Sequence, residues 1–234
     1  NRRSRGLGDV YKRQSQNGDN KRWNYEKENW LEKFKPKDSI SLELIECDTT
    51  ADINENFLHS YQCIESYKPG IFQKTILSMK SNIDKYDYFV RTNLSTFVIQ
   101  DRLKSYLTQL NQTNVYDGVY CNTNANWIAG WGVVLDKNTC NMLIQDGLKE
   151  ENFNKMVADD VLIGNILESH NVQCNTKHRP HLGYVWKYNK TIEENIESIQ
   201  QNPNVIFIRL TQRGLEKDTI KKEKYINGLN ALYE

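Results

Sequence analysis

The sequence predicts a single α/β domain, with a mostly parallel central sheet and helices on both of its faces. Strand-like apolar runs alternate with helix-like segments of about ten residues, and this alternation is typical of parallel sheets covered by helices. The 234 residues are enough for one domain to bury its own core. Because 38% of the residues are apolar and 26% are charged, the composition favours a globular chain over a disordered one.

Each predicted element rests on a local pattern. Runs rich in aromatic and β-branched residues predict strands, at residues 40–45, 86–91, 115–120, 127–135 and 205–210. Apolar residues at helical spacing predict helices, at residues 23–34, 57–67, 71–80, 103–110 and 217–233, with one more ending at residue 148 and another beginning at residue 159. Asp136 or Asn138 is expected to cap the helix that ends at residue 148.

The first fourteen residues, NRRSRGLGDVYKRQ, are basic and show no apolar periodicity. They resemble a translated sequencing-library adaptor of the kind found at the ends of metagenomic fragments, and a disordered arm is the other interpretation. We expect residues 1–14 to pack against nothing, since they have little apolar surface to offset the roughly 1 to 2 kcal/mol per residue lost on ordering the backbone. The domain would then comprise residues 15–234 and lack its first strand.

Charge and cysteine content limit the classes of partner. The formal net charge is +1, so a nucleic-acid-associated domain would depend on the basic residues 1–14 alone. No stretch approaches the roughly 18 consecutive apolar residues of a membrane span. The five cysteines occur singly, without the CxxC pairs of zinc sites, and are interpreted as small buried residues of a reducing compartment. The favoured interpretation is a soluble, cytoplasmic protein with no nucleic-acid partner.

Three segments that follow or end predicted strands carry residues suited to ligand binding. In open α/β sheets, ligands bind outside the carboxyl ends of the strands. The segments are residues 91–96 (RTNLST), 129–132 (AGWG) and 158–164 (ADDVLIG). Each also has a purely structural interpretation: a turn with a helix cap, a β-bulge around a core Trp, and a helix N-terminus whose dipole favours carboxylates.

The order of these segments resembles that of an enzyme family. Residues 86–98 (YDYFVRTNLSTFV) are similar to the YD-φφφ-K-T-DDD-x-F-V segment of Fringe-like and β-1,3-galactosyltransferase-like glycosyltransferases of the GT-A type. Residues 120–135 resemble their acceptor-side strand, and residues 158–164 resemble their (E/D)DVxxG motif. The similarity covers residues 40–183, about three fifths of the chain, and implies a GT-A-like (Rossmann-like) domain.

The activity that the resemblance implies is transfer of a sugar from a nucleotide-diphosphate donor to a hydroxyl group of a glycan or glycoprotein, with inversion. The implied site residues are Asp160 as catalytic base with Asp159 beside it, Arg91, Thr92, Asn93 and Ser95 for the donor nucleotide, and Gly130, Trp131 and Gly132 for the acceptor and donor pocket. Candidates for contact with the diphosphate are His178, Arg179, His181 and Arg209. A solvated loop is the alternative interpretation of the first three of these.

One departure from the family bears on the mechanism. The family's DxD carboxylates, which hold Mn²⁺ or Mg²⁺ on the donor diphosphate, are replaced by Asn93 and Ser95. Hard divalent cations prefer carboxylate oxygen, so both a metal-dependent and a metal-free site stay open. In the metal-free variant, Arg91 supplies positive charge to the diphosphate. The alternative function is a catalytically inactive protein of the same fold that binds a nucleotide sugar or a glycan.

Overall fold

The computed structural model describes residues 9–14, 39–48, 53–55, 58–93, 95–110, 113–120, 127–174, 182–210, 227–229 and 233. The elements are, in chain order, β1 (Asp9–Gln14), β2 (Ile40–Asp48), β3 (Ile53–Glu55), β4 (Leu58–Gln62), α1 (Gly70–Asn82), β5 (Tyr88–Asn93), β6 (Thr96–Val98), α2 (Gln100–Thr108), β7 (Tyr116–Tyr120), β8 (Ile128–Asp136), α3 (Lys137–Gly147), α4 (Glu150–Phe153), α5 (Asp159–Ser169), β9 (Gly183–Val185), α6 (Ile192–Gln200) and β10 (Phe207–Arg209).

Two sheets organise the described part of the chain. The main sheet has seven strands in the order β3-β4-β2-β1-β5-β8-β7. Its central strands β4, β2, β1 and β5 are parallel, whereas β3 runs antiparallel to β4, and β8 runs antiparallel to both β5 and β7. The second sheet has the order β6-β10-β9, with β10 antiparallel to β6 and parallel to β9. The carboxyl ends of the four parallel strands therefore share one edge of the main sheet.

Helices cover both faces of the main sheet. Consecutive strand residues point to opposite faces, and Phe89 and Val90 of β5 belong to two different buried clusters. The cluster around Phe89 takes its other members largely from α1, α3 and α5, including Phe72, Leu143 and Ile163. The cluster around Val90 contains side chains of α2 and β10. The α/β prediction is thus confirmed, with parallel pairing confined to the central strands.

Most predicted helices and strands lie where the sequence pattern placed them. Helices α1, α2, α3 and α5 and strands β2, β5, β7, β8 and β10 fall within or close to the predicted ranges. Asp136 caps α3, because its Oδ1 accepts a hydrogen bond from the N–H of Thr139 at 3.0 Å. The predicted helix at residues 23–34 lies outside the described residues, and the one at 217–233 is described only at 227–229 and 233, which are helical.

The start of the chain differs from the expectation. Asp9–Gln14 form β1, which pairs along its whole length with β2 on one side and β5 on the other. The expectation that residues 1–14 pack against nothing is therefore wrong for this segment. A strand between two parallel neighbours usually has a nearly continuous apolar sequence. The sequence of β1 is DVYKRQ, which is mostly polar and therefore does not predict a strand. The adaptor-like origin of residues 1–14 stays a hypothesis.

A second difference concerns residues 57–67, for which the sequence pattern predicts a helix. Leu58–Gln62 instead form β4, parallel to β2. Tyr61 and Cys63 pack against Ile45 and Cys47 of β2. Short apolar runs cannot be assigned to helix or strand by periodicity alone, and here the contacts with β2 decide the conformation.

The cysteines correct a further expectation. Cys47 and Cys63, 16 residues apart in sequence, form a disulfide, whereas the scattered single cysteines predict small buried side chains without disulfides. The parallel register of β2 and β4 sets Cys47 opposite Tyr61, which brings Cys63 within reach. Within the described residues, Cys140 and Cys174 form no disulfide. Disulfides are typical of oxidising compartments, so this pair counts against the reducing compartment, and the cytoplasmic location stays a prediction.

Of the helices in the described ranges, none combines the length and the apolar character needed to cross a membrane.

Candidate functional site

A buried ion pair joins the end of β5 to the start of α5. Nη2 of Arg91 contacts Oδ2 of Asp159, and the two side chains are only 5% and 7% exposed. Arg91 points to the same face of the sheet as Phe89, two residues earlier in the strand, and Asp159 is the first residue of α5. The pair therefore fixes the N-terminus of α5 against the carboxyl end of β5.

Three features of the surroundings of Asp159 act on the pKa of its carboxyl group. Burial raises the pKa of Asp159 above its ordinary value, the positive charge of Arg91 lowers it, and the negative charge of Asp160 raises it. A buried charge is costly unless it is paired, so Arg91 and Asp159 depend on each other. The charge of Arg91 is balanced within the protein, which weakens the interpretation of Arg91 as the cation for a diphosphate.

Asp160 follows Asp159 directly but lies in a different environment. Successive helix residues are about 100° apart around the helix axis, so Asp160 is turned away from the direction of Asp159 and is half-buried. Its Oδ1 accepts a hydrogen bond from the N–H of Val161 at 2.9 Å. The N-cap residue of α5 is Ala158, and both aspartates lie in the first turn, where the helix dipole favours carboxylates. Asp160 thus presents a partly exposed carboxylate at the first turn of α5.

Gly130 provides space for the Arg91 side chain. A Cβ atom at this position would lie 3.0 Å from Cζ of Arg91 and would overlap its Nη1. A larger residue would therefore push the guanidinium away from its position beside Asp159. The first glycine of the AGWG segment has a direct role in supporting the ion pair.

Residues 129–132 lie in an irregular part of the β7–β8 ladder. Gly118 pairs with Val133, and Tyr120 pairs with Ile128. An advance of two residues along β7 therefore corresponds to five residues along β8. Extra residues in one strand of a pair form a β-bulge, and bulges change the direction in which side chains point. This register shift is consistent with the bulge interpretation of the segment.

Trp131 packs on the face of the sheet opposite Arg91. It is 8% exposed and belongs to the cluster around Val90. A Cβ atom at Gly183 would lie 2.7 Å from Cη2 of Trp131, and one at Gly132 would lie 2.8 Å from the ring of Phe207. These glycines allow β8 and the second sheet to approach closely around the indole ring.

Asn93, Ser95 and Thr96 form a hydrogen-bonded turn at the end of β5. Oδ1 of Asn93 accepts hydrogen bonds from Oγ of Ser95 at 2.9 Å and from Oγ1 of Thr96 at 2.8 Å. The N–H of Leu210 donates to the carbonyl oxygen of Ser95 at 2.8 Å, which anchors the turn to the end of β10. Thr92, just before the turn, is fully buried.

The side chains of this turn do not fit a divalent cation. Their oxygens are neutral amide and hydroxyl oxygens, and Oδ1 of Asn93 already accepts two hydrogen bonds. Within the described part of the chain, no group of three or more His, Cys, Asp or Glu residues is placed to hold a metal. The turn therefore lacks the anionic ligands that the DxD motif of the resembled family provides.

A second guanidinium lies beside the same turn. Arg209, the last residue of β10, places its Cζ 5.8 Å from the centroid of the Trp131 ring, within the range of a cation–π contact. Arg209 also stands opposite Thr96 in the β10–β6 pair. The structure thus links Trp131 and the Asn93 turn through Arg209, a residue on the second sheet.

A buried lysine that the sequence did not indicate lies near Arg91. Nζ of Lys74 on α1 is 2.7 Å from Oε1 of Glu65, and the Lys74 side chain is fully buried. Burial lowers the pKa of Lys74, Glu65 and Glu46 raise it, and the charge of Arg91 lowers it further. Oε2 of Glu65 accepts a hydrogen bond from the N–H of Cys47, so this pair ties α1 to the end of β2. Lys74 lies within α1, and no sequence motif around it indicates that this lysine is buried or functional.

The predicted site residues are thus partly brought together. The Arg91 side chain contacts Asp159 and lies against Gly130. Trp131 packs on the opposite face of the sheet. His178, Arg179 and His181 lie outside the described residues.

Comparison of the sequence with protein-family models gives no match, and comparison with curated proteins gives none either. The fold is similar to that of a glycosyltransferase involved in the glycosylation of the major capsid of PBCV-1, with a TM-score of 0.50 and 8% sequence identity, over 93% of this chain and 98% of that one. The glycosyltransferase GlyE of Streptococcus pneumoniae TIGR4 gives a TM-score of 0.48 and 9% identity, over 96% of this chain and 63% of that one. At 8% identity, the first similarity shows a shared fold. The chain therefore has the α/β fold of a known glycosyltransferase.

Proposed function

We propose that this protein is a glycosyltransferase that moves a sugar from a nucleotide-diphosphate donor to a hydroxyl group of a glycan or glycoprotein, with inversion at the anomeric carbon. The observation that carries the proposal is the Arg91–Asp159 ion pair, which fixes α5 at the end of β5 and leaves Asp160 partly exposed there. The fold shared with a glycosyltransferase supports the activity. The motifs at residues 86–98 and 158–164 support a Fringe-like lineage with a variant DxD segment.

Asp160 acts as the general base in this proposal. The acceptor oxygen forms a bond to the anomeric carbon, and the bond between that carbon and the diphosphate oxygen breaks. Its electron pair leaves with the nucleoside diphosphate, and the acceptor proton passes to the Asp160 carboxylate. A partly exposed carboxylate suits this role because the acceptor can reach it. Arg91 and Asp159 act by positioning the first turn of α5.

The donor binds at the turn that follows β5. The amide N–H groups of Asn93 are hydrogen-bond donors for phosphate or ribose oxygens. The hydroxyl of Ser95 donates to Oδ1 of Asn93 here, and it would have to rotate to donate to the same ligand. The backbone next to Thr92 lies at the same end of the strand. Gly130 leaves the space that the Arg91 side chain fills beside this turn, whereas Trp131 and Gly132 pack against the buried cluster around Val90 on the opposite face of the sheet. The diphosphate contacts expected of His178, Arg179 and His181 belong to this proposal as well.

A catalytically inactive protein that binds a nucleotide sugar or a glycan is the second candidate function. The neutral side chains at Asn93 and Ser95 favour it, because they remove the carboxylates of the DxD motif. The position of Asp160 opposes it, because this carboxylate is partly exposed at the first turn of α5 and lies outside the buried pair of Arg91 and Asp159.

Incubation with a panel of nucleotide-diphosphate sugars separates the two candidates. Slow hydrolysis of one donor, or its transfer to a glycan acceptor, is expected to release the nucleoside diphosphate, which a coupled assay detects. Binding of a donor without any release would favour the inactive protein. If no nucleotide sugar of the panel is bound or turned over, both candidates are wrong.

Restoring the two carboxylates is expected to make donor binding responsive to metal. In the double variant Asn93→Asp, Ser95→Asp, the new carboxylate at position 93 can still accept the hydrogen bond from Thr96, and two anionic ligands become available to Mn²⁺. Donor affinity should then rise on addition of Mn²⁺ by about tenfold or more, as expected from a new charge-assisted contact. Isothermal titration of the donor with and without Mn²⁺ measures this.

The double variant Gln145→Glu, Gln173→Glu is the matched control for that measurement. It adds the same two negative charges at exposed positions outside the site. Addition of Mn²⁺ should change the donor affinity of this control by no more than it changes that of the unmodified protein. An equal response of both double variants would contradict the assignment of the turn as the donor site.

A further inference from the structure

A cavity of about 480 Å³ lies between α2 and the segment that leads into β10. Its volume falls within the range of roughly 300 to 1,000 Å³ that small-ligand sites occupy. The buried side chains of Leu182 and Ile206 line it and belong to the cluster around Val90, on the face of the main sheet opposite Arg91 and Asp159. The cavity is therefore separate from the proposed catalytic site.

Hydrogen bonds hold the walls of this cavity in place. Nη1 of Arg102 on α2 donates to the carbonyl oxygens of Asn202 and Val205, both at 2.9 Å. The N–H of Ile206 donates to the carbonyl oxygen of Leu182 at 2.9 Å. These bonds join α2, the segment before β10 and the start of β9. The cavity is thus formed before any ligand enters, as is usual for small-molecule sites.

The charges at the cavity do not favour an anionic ligand. Among the described residues that line it, Arg102 carries the positive charge and Asp101 the negative one. The guanidinium of Arg102 faces backbone carbonyl oxygens, including that of Ile199, and its Cζ lies 5.5 Å from the centroid of the Tyr233 ring. The carboxylate of Asp101 would repel a phosphate or a fatty-acid carboxylate. A neutral ligand fits these surroundings better.

The remaining lining combines neutral polar groups with apolar surface. Ser105, Gln109 and Asn204 are exposed, and within the described part of the chain their side chains make no hydrogen bond. Each of these side chains can both donate and accept a hydrogen bond. Ser105 and Gln109 are four residues apart, so they lie on one face of α2. Leu110 and Pro203 add apolar surface to that of the two buried side chains.

We propose that this cavity is a binding site for a neutral saccharide, separate from the site of sugar transfer. A sugar ring has an apolar C–H face and hydroxyl groups that both donate and accept hydrogen bonds. The C–H face packs on Leu182 and Ile206, and the hydroxyl groups bond to the neutral polar side chains of α2 and to Asn204. The inference stands on the lining of the cavity and holds for a catalytic or an inactive protein.

The test is a ligand-observed NMR titration of the full chain with four neutral trisaccharides: cellotriose, mannotriose, xylotriose and chitotriose. The unmodified protein is expected to bind at least one of them. Gln109→Ala and Asn204→Ala each remove one hydrogen-bonding side chain and should weaken that binding by about 3- to 10-fold. Gln145→Ala is the matched control, because it removes the same side chain from an exposed position of α3 on the other face of the sheet. It should leave the affinity unchanged.

A variant that fills the cavity gives a second measurement. Ser105→Trp places a large ring in the cavity and should prevent binding of the trisaccharide. Lys104→Trp adds the same ring at the neighbouring exposed position, outside the lining, and should bind as the unmodified protein does. Both positions are exposed on α2, so neither variant should lower the melting temperature markedly. If Ser105→Trp does not fold, Gln109→Ala and Asn204→Ala still decide.

Three results would overturn the inference. The first is the absence of binding of every trisaccharide to the unmodified protein. The second is unchanged affinity in the folded Ser105→Trp protein, which would place the saccharide elsewhere. The third is binding of UDP or of a fatty acid that Ser105→Trp blocks, because the cavity would then take an anion. The proposed function is tested separately, since release of nucleoside diphosphate from a donor does not depend on this cavity.

Discussion

Replacement of Asp160 by Asn is expected to lower turnover by about 10²- to 10⁴-fold, the usual contribution of a positioned general base. Asparagine keeps the size of the side chain and an oxygen that can accept the hydrogen bond from Val161, but it cannot take a proton from the acceptor. The affinity for a nucleoside diphosphate should be retained, because Asp160 contributes no positive charge to the donor site. Single-turnover transfer and calorimetric binding on the same preparation separate the two effects.

Asp101→Asn is the matched control for Asp160→Asn. Asp101 is the second residue of α2, just as Asp160 is the second residue of α5, so both variants lose one favourable interaction with a helix N-terminus. Both should therefore show a similar, small change in melting temperature. Only Asp160→Asn should lose turnover per folded molecule. Normal transfer by the Asp160→Asn protein would rule out Asp160 as the base.

The elements that the sequence predicted correctly are those with a strong local signal. Strands β5 and β8 read as apolar runs, and the helix α1 has Phe72, Ile76 and Met79 at helical spacing on its buried side. Strands β1 and β4 carry no such signal, because their conformation depends on pairing with β2. The disulfide between Cys47 and Cys63 depends on the same pairing and could not be read from cysteine spacing.

Only part of the candidate site could be predicted from the sequence, because the rest depends on contacts between distant segments. The motif at residues 158–164 indicated both aspartates, but only the direction of each side chain around α5 separates buried Asp159 from half-buried Asp160. The contact of Arg209 with Trp131 joins two sheets, and its pairing with Thr96 joins residues more than a hundred positions apart. Interactions between distant segments leave no periodic pattern, so they appear only once the strands are paired.

The largest expected loss of stability comes from breaking the Arg91–Asp159 pair. Either Arg91→Met or Asp159→Asn leaves the other group buried without its counter-charge, and removal of one partner of a buried pair costs about 3 to 5 kcal/mol. The double variant Arg91→Met, Asp159→Asn removes both charges together and should recover much of this loss. Urea unfolding of the two single variants and the double variant gives the coupling free energy directly.

The exposed pair of Lys137 and Asp84 is the control for this cycle. Its side chains are 42% and 93% exposed, so Asp84→Asn should leave the unfolding midpoint unchanged within error. A cost below about 1 kcal/mol for both Arg91→Met and Asp159→Asn would contradict a buried, mutually dependent pair. The double variant also tests the assignment of roles. If it folds and still binds a nucleoside diphosphate, Arg91 acts by holding α5 against β5, and the positive charge at the donor site comes from another residue.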